Sequence, residues 1–254
     1  MALLEVHNIN KRFGGLHAVN DVSFSVSENT IKAVIGPNGA GKTTLFNLIS
    51  RNIEANDGKV FFQNKPIHSL QPYEIAQRGI SRTFQNIKLF HGMSALENVM
   101  VGCHPKSRAG FLAGILRLPS SLSEEKMIRE RAYEFLDLLG IADLAHLEAT
   151  SLAFGQQRAV EFARALASEP SLLLLDEPAA GLNIYETAKV AKLITKIQQR
   201  GITILLVEHD MSLVMDISDE IVVLSFGKKI AEDHPAAIQQ NKEVIQIYLG
   251  EDDA

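Results

Sequence analysis

A chain of 254 residues, 46% hydrophobic and 22% charged, has an ordinary soluble balance and the length for one large domain or two lobes sharing a core. Its formal net charge of −5, with no basic run, excludes a nucleic-acid binder working by bulk electrostatics, and a single cysteine, Cys103, excludes an internal disulfide. Glu5 interrupts the N-terminal apolar stretch too early for a signal peptide, and no segment approaches the ~20 apolar residues that span a bilayer, so any membrane role is expected to come through partners.

The first third reads as strands. "LLEVHNINKRF" and "AVNDVSFSVSEN" alternate apolar with polar residues, as half-buried antiparallel strands do. "IKAVIG" is shorter, apolar nearly throughout and ends on Gly36, which suits a strand buried on both faces. A helix follows in "GKTTLFNLISR", with Leu45, Leu48 and Ile49 on one face, then a turn and a strand in "NDGKVFFQNKPI". From about Ala95 to Ala167 helical periodicity dominates, as in "EEKMIRERAYEFLDLLG". The last third alternates again: "SLLLLDEP" and "ITILLVEHD" are buried strands separated by the helix "YETAKVAKLITKIQQR", the pattern of parallel βαβ units. "EIVVLSFGKKIAE" predicts a hairpin turning near Gly227, and "PAAIQQNKEVIQIYLG" one closing helix. The expected organisation is a single α/β domain: a core with a β subdomain over residues 1–90 and 168–254, interrupted by a helical lobe over 91–167.

Chemistry concentrates in two strand ends. "GPNGAGKTT" follows an apolar strand, opens a helix and fits G-x-x-x-x-G-K-[ST]. Gly36, Pro37, Asn38, Gly39, Ala40, Gly41, Lys42, Thr43 and Thr44 form the expected phosphate cradle, in which successive N–H groups converge on phosphate oxygens. Lys42 would reach the β- and γ-phosphates, and the Thr43 hydroxyl would ligate Mg²⁺. "LLLLDEP" places Asp176 and Glu177 at the C-terminal end of another buried strand, where α/β folds bind ligands. Asp176 would hold the Mg²⁺ shell, and Glu177 would orient and deprotonate an attacking water. "SLAFGQQRAVEFARAL" carries no nucleophile and no metal site. It is a glycine turn at a helix start, a place where unpaired N–H groups and the helix dipole face anions.

Within that stretch "LAFGQQR" resembles the signature of ABC-type ATPases, usually Leu-Ser-Gly-Gly-Gln, and the family's other short motifs occur in order. The resemblance covers essentially the whole chain. It implies a P-loop NTPase with a RecA-like parallel core, an antiparallel β subdomain and a helical signature subdomain, hydrolysing ATP with Mg²⁺. "KRFGG" puts Phe13 where an aromatic ring stacks on adenine; "RTFQN" puts Gln85 where a glutamine meets Mg²⁺ and the attacking water; "VEHD" puts His209 where a histidine bonds the γ-phosphate. The signature residues Ala153, Phe154, Gly155 and Gln156 would close over a nucleotide held by a second ATPase subunit, the same chain or a paralogue, in a head-to-tail dimer. "AAGLN" resembles the loop that touches that partner. Two departures stand out. Ala153 replaces the usual serine and removes one hydroxyl donor, and Asn183 replaces the frequent aspartate but keeps an acceptor.

Finer features, "DEPAAGLN", "VEHDMSLVMDISDEIVVL" and "EVIQIYLGE", are similar to the ATPase subunits of branched-chain amino acid importers. That implies integral membrane permease partners, a peripheral place on the cytoplasmic face of the membrane, and no nucleic-acid partner. The apolar run at 109–118 reads as helix and loop packed on its own lobe, as a membrane-facing patch or as a contact for the permease. A coiled-coil mechanoenzyme is disfavoured by the absence of sustained heptads. A scaffold ATPase of the iron–sulfur assembly type stays open at this point.

Overall fold

The alternating N-terminal runs form a long antiparallel hairpin, β1 (Ala2–Phe13) and β2 (Leu16–Ser27), in the computed structural model, which describes residues 1–104 and 119–249. Two compact units emerge, one of residues 1–75 and 171–254, the other of residues 76–170.

In the first unit β4 (Asp57–Phe62) and β5 (Lys65–Pro66) extend the hairpin into an antiparallel sheet of order β2-β1-β4-β5. The other sheet is built on β3 (Ile31–Ile35), β7 (Leu172–Asp176) and β8 (Thr203–Val207), whose aliphatic runs are buried throughout, as strands covered on both faces must be. With β9 (Glu220–Ser225) and β10 (Lys228–Asp233) its order within this unit is β10-β9-β3-β8-β7. The three core strands and β9 run parallel, and β10 returns antiparallel through the turn at Phe226 and Gly227. Val34 and Asp176 both lie opposite Val207, so β3, β7 and β8 end together. The expected helices α1 (Lys42–Ile49) and α6 (Ile184–Gln198) follow β3 and β7, and a further short helix, α7 (Met211–Ile217), follows β8. One residue breaks the apolar run of β3. Lys32 is buried, and its ammonium bonds the Ser25 carbonyl and pairs with Glu220 and Glu232.

The expected closing helix is in fact two, α8 (Pro235–Gln240) and α9 (Lys242–Leu249). Asn241 between them has an extended ψ of 115°, and its side-chain oxygen accepts from the N–H groups of Glu243 and Val244 at 2.9 and 3.3 Å. An asparagine that bonds the following backbone caps a new helix in preference to continuing the old one.

After the short α2 (Pro72–Gln77), which ends in the second unit, come β6 (Ile80–Arg82), α3 (Ala95–Gly102), α4 (Pro119–Leu138) and α5 (Phe154–Ala167). The core of this unit joins Leu96 and Val99 of α3, Ala132 and Leu136 of α4, and Val160 and Ala163 of α5. Ser94 and Glu97 close a reciprocal capping box at the start of α3. The apolar run at 109–118 lies outside the described residues.

The last residue of α3 meets α5 without a side chain. A Cβ on Gly102 would stand 2.1 Å from the Arg164 carbonyl oxygen and 3.0 Å from Ala167 Cβ. Gly102→Ala therefore has to push the two helices apart and should cost about 1–3 kcal/mol, the usual scale of overpacking. The check is the urea midpoint of the purified variant against the parent; equal midpoints would contradict so close a crossing.

Candidate nucleotide-binding site

The turn after β3 is shaped by backbone that only glycine accommodates. Gly36 has φ +147°, and a Cβ there would lie 2.1 Å from the Leu224 carbonyl oxygen of β9. Gly39 and Gly41 are also at positive φ, and Gly41 is the N-cap of α1 with no side-chain cap bond. The turn is held from behind by Gly227, whose N–H donates to the Ala40 carbonyl at 3.0 Å. The buried Lys42 folds back so that its ammonium donates to the carbonyls of Gly36 at 2.6 Å and Pro37 at 2.9 Å. Asn38, Gly39 and Thr43 are exposed, while Thr44 is half-buried. A left-handed glycine turn, an ammonium at its centre and the first N–H groups of a helix together fit a polyphosphate.

Because β7 and β8 end in register, Asp176, Glu177 and His209 reach the same sheet edge as this turn. Asp176 is buried. Glu177 is a non-glycine residue at φ +48°, a conformation that costs about 1–3 kcal/mol and needs the surroundings to impose it. Its N–H donates to the Val207 carbonyl at 2.9 Å, and its carbonyl accepts from Ala180 N–H at 3.1 Å. The exposed His209 ring has Nδ1 3.9 Å from Glu177 Oε2 and 3.8 Å from Glu208 Oε2.

Glu208 is the residue that sequence reasoning passed over, since nothing in an acid beside a histidine at a strand end signals burial. It is fully buried. Oε1 accepts from Ala179 N–H at 2.8 Å, and Oε2 from the N–H groups of His209 at 3.0 Å and Asp210 at 3.4 Å. Burial pushes its carboxyl above the ordinary glutamate range, opposed by these same three N–H donors. Phe13 sits half-exposed at the end of β1 with the Lys11 ammonium 5.1 Å from its ring centroid. Asn183 accepts from the N–H groups of Tyr185 and Glu186, both at 3.0 Å, and so caps α6 as an aspartate would.

The second unit holds the signature turn and Gln85. Ala153 is the N-cap of α5, and the Gln156 carboxamide oxygen accepts from Ala153 N–H at 3.1 Å. Gln157 ties down the preceding turn by donating to the carbonyls of Thr150 and Leu152 at 3.1 and 2.8 Å. Ala153, Phe154 and Gly155 are exposed. One turn on, the buried pair Arg158–Glu161 (3.0 Å) grips the backbone before and at Gln85. Arg158 donates to the carbonyls of Phe84 at 3.0 Å and Gln85 at 3.2 Å, and Glu161 accepts from Phe84 N–H at 3.2 Å. Burial raises the Glu161 carboxyl above its ordinary range, against the pull of that N–H and the guanidinium.

Residues 19–180 match the family described as ABC transporter, and residues 228–254 the family described as branched-chain amino acid ATP-binding cassette transporter. The chain is 43% identical to the high-affinity branched-chain amino acid transport ATP-binding protein BraF of Pseudomonas aeruginosa, with 98% of each chain covered. It is similar to the crystal structure of an ATP-binding cassette of an ABC transporter in its ADP conformation, with a TM-score of 0.85 and 33% identity over 98% of this chain and 99% of the other. A dimeric cassette in a post-hydrolysis state, bound to ADP and Pi, matches with a TM-score of 0.78 and 26% identity over 91% and 98% of the two chains.

At the signature turn Gln156 supplies its half of a capping box, and Ala153 has no side-chain oxygen to return the other. Ala153→Ser should complete the box and stabilise the chain by about 1 kcal/mol, since Ncap serine exceeds alanine by that order. Urea titration reads the gain. ATP turnover should change by no more than about tenfold, the worth of one neutral hydrogen bond. A destabilised variant would mean that the turn does not present the Ala153 side chain to the N–H of Gln156.

Proposed function

The chain belongs to the ABC transporter family, and on that premise we propose that it is the ATP-hydrolysing subunit of an importer for branched-chain or related amino acids. The observation that carries the hydrolytic reading is the single sheet edge at which the Lys42 turn, Asp176, Glu177 and His209 stand together. In this reading the backbone N–H groups of the turn after Pro37, from Asn38 to Gly41, and the Lys42 ammonium bind the phosphates of ATP, and Phe13 stacks on adenine. The Thr43 hydroxyl and the Asp176 carboxylate would hold Mg²⁺, which when bound neutralises phosphate charge. Glu177 orients the attacking water and takes its proton, while the His209 ring bonds a γ-phosphate oxygen. Gln85 keeps the role on Mg²⁺ and water that the family resemblance gives it. The turn at Ala153–Gln156 faces the nucleotide of a second ATPase subunit, which is either another copy of this chain or a paralogue.

The solute assignment rests on the likeness to BraF over nearly the whole chain and on the match at 228–254. Both favour an importer over a scaffold ATPase or a DNA-associated mechanoenzyme. On the likeness to importer ATP-binding proteins we place the chain peripherally on permease subunits at the cytoplasmic face; no helix among the described residues is long and apolar enough to cross a membrane.

A division of labour tests this reading. Glu177→Gln should bind ATP as tightly as the parent while turning over roughly 10²–10⁴-fold more slowly, the usual contribution of a positioned base. Lys42→Ala should lose ATP binding itself. Nucleotide titration and steady-state ATPase assays separate the two, and equal loss of binding in both variants would refute the assignment. Co-purification of the tagged chain with an integral membrane protein is the expected result for an importer subunit. A chain that purifies from its own cells only with soluble partners is no importer ATPase.

A further inference from the structure

We propose that Glu208 is a positioning residue that holds Glu177 and His209 in one fixed arrangement by bridging the two loops that carry them. The inference rests on the hydrolytic reading of Glu177 and His209 given above. Geometrically the bridge is complete. One carboxylate oxygen takes the Ala179 N–H from the loop after β7, and the other takes the N–H groups of His209 and Asp210 from the loop after β8. Glu177 is thereby tied on both sides. Its own N–H is bonded to Val207, and the next residue, Pro178, has no N–H to offer, so Ala179 is the first donor after it that can be anchored. A non-glycine residue at φ +48° needs such ties, because nothing in its own chemistry favours that conformation. The same carboxylate fixes the backbone of His209, and its Oε2 lies as near the ring as that of Glu177, at 3.8 and 3.9 Å.

Three N–H donors converging from two directions require acceptors on both oxygens, which a carboxylate has and a carboxamide lacks. Glu208→Gln preserves size and burial but can satisfy one side of the bridge only. A role limited to stability would lower the unfolding midpoint and leave the balance of kcat and KM alone. A positioning role predicts the reverse emphasis.

The test uses the full chain. Steady-state ATPase of Glu208→Gln should show a KM for ATP within about twofold of the parent and a kcat lower by about tenfold or more, the mark of a group that acts on the transition state. In the Glu177→Gln background the same change should lower turnover less than about twofold, since both substitutions then disable one unit. Hydrogen exchange supplies a readout independent of activity. The Ala179 amide should be protected in the parent, and either Ala179 or the His209–Asp210 pair should exchange faster in Glu208→Gln. A freely exchanging Ala179 amide in the folded parent, a parent-like kcat in the variant, or an undiminished loss in the Glu177→Gln background would each overturn the bridge. A parent that hydrolyses no ATP would instead strike at the hydrolytic reading, and the exchange data would still decide whether the bridge exists.

Discussion

In the register of the parallel sheet Val34 and Asp176 both stand opposite Val207, and from that alignment the rest of the site follows. Parallel strands that start together end together, so the segments leaving β3, β7 and β8 emerge at one edge although they are far apart in sequence. Apart from Asp176, the last residue of β7, the strands carry no group of the site. Their side chains from Leu172 to Leu175 and from Ile204 to Val207 are wholly buried, a run of aliphatic residues that leaves register as the one thing they specify. A slip of one residue in β8 would move His209 and Glu208 along the edge and turn each to the opposite face.

Beyond the strand ends, two loops meet the same demand for unusual backbone in different ways. The phosphate turn uses glycine, and Gly36 can approach the Leu224 carbonyl because it has no Cβ. The loop after β7 cannot use glycine at position 177, because the proposed reaction needs a carboxylate there. It takes a left-handed conformation with a full side chain, and ties on both flanks hold it, at Val207 and at Ala179. Where chemistry dictates the residue, the neighbours must dictate the conformation. That is why a second acid, without a reacting partner of its own, sits fully buried one residue from His209.

Sequence alone conveyed the parts whose signal is local. The glycine spacing of 36–41, the apolar runs of β3, β7 and β8 and the hairpin around Gly227 each announce themselves in a few consecutive residues, and the described structure has all of them. Asn241 was equally local, yet a polar residue between two amphipathic turns does not say whether it faces solvent or caps a helix. Lys32 and Glu208 were illegible for a stronger reason. Each is a charged residue whose burial is offset by partners elsewhere in the chain, Glu220 and Glu232 for the one and Ala179 for the other, and periodicity carries no information about partners at that separation. The pair Arg158 and Glu161 is intermediate. Its spacing of three suggests a surface ion pair on a helix, but its burial and its grip on residues 84 and 85 came from the fold.

That pair shows how side chains of the second unit hold Gln85 and the signature turn in order. After β6 the chain at Phe84 and Gln85 leaves regular structure, so its backbone groups need partners from side chains. Arg158 and Glu161 supply three of them: two carbonyls accept from the guanidinium and one N–H donates to the carboxylate. A buried ion pair is weak evidence for stability, because desolvation offsets most of its attraction, and two apolar residues of equal volume would pack as well. They would not bond that backbone. Both charged residues stand on α5 directly after the signature turn, whose own loop is tethered by Gln157 from the same helix. Gln85 and the turn at Ala153–Gln156 thus hang from one support, the first two turns of α5, and a shift of that helix must move both.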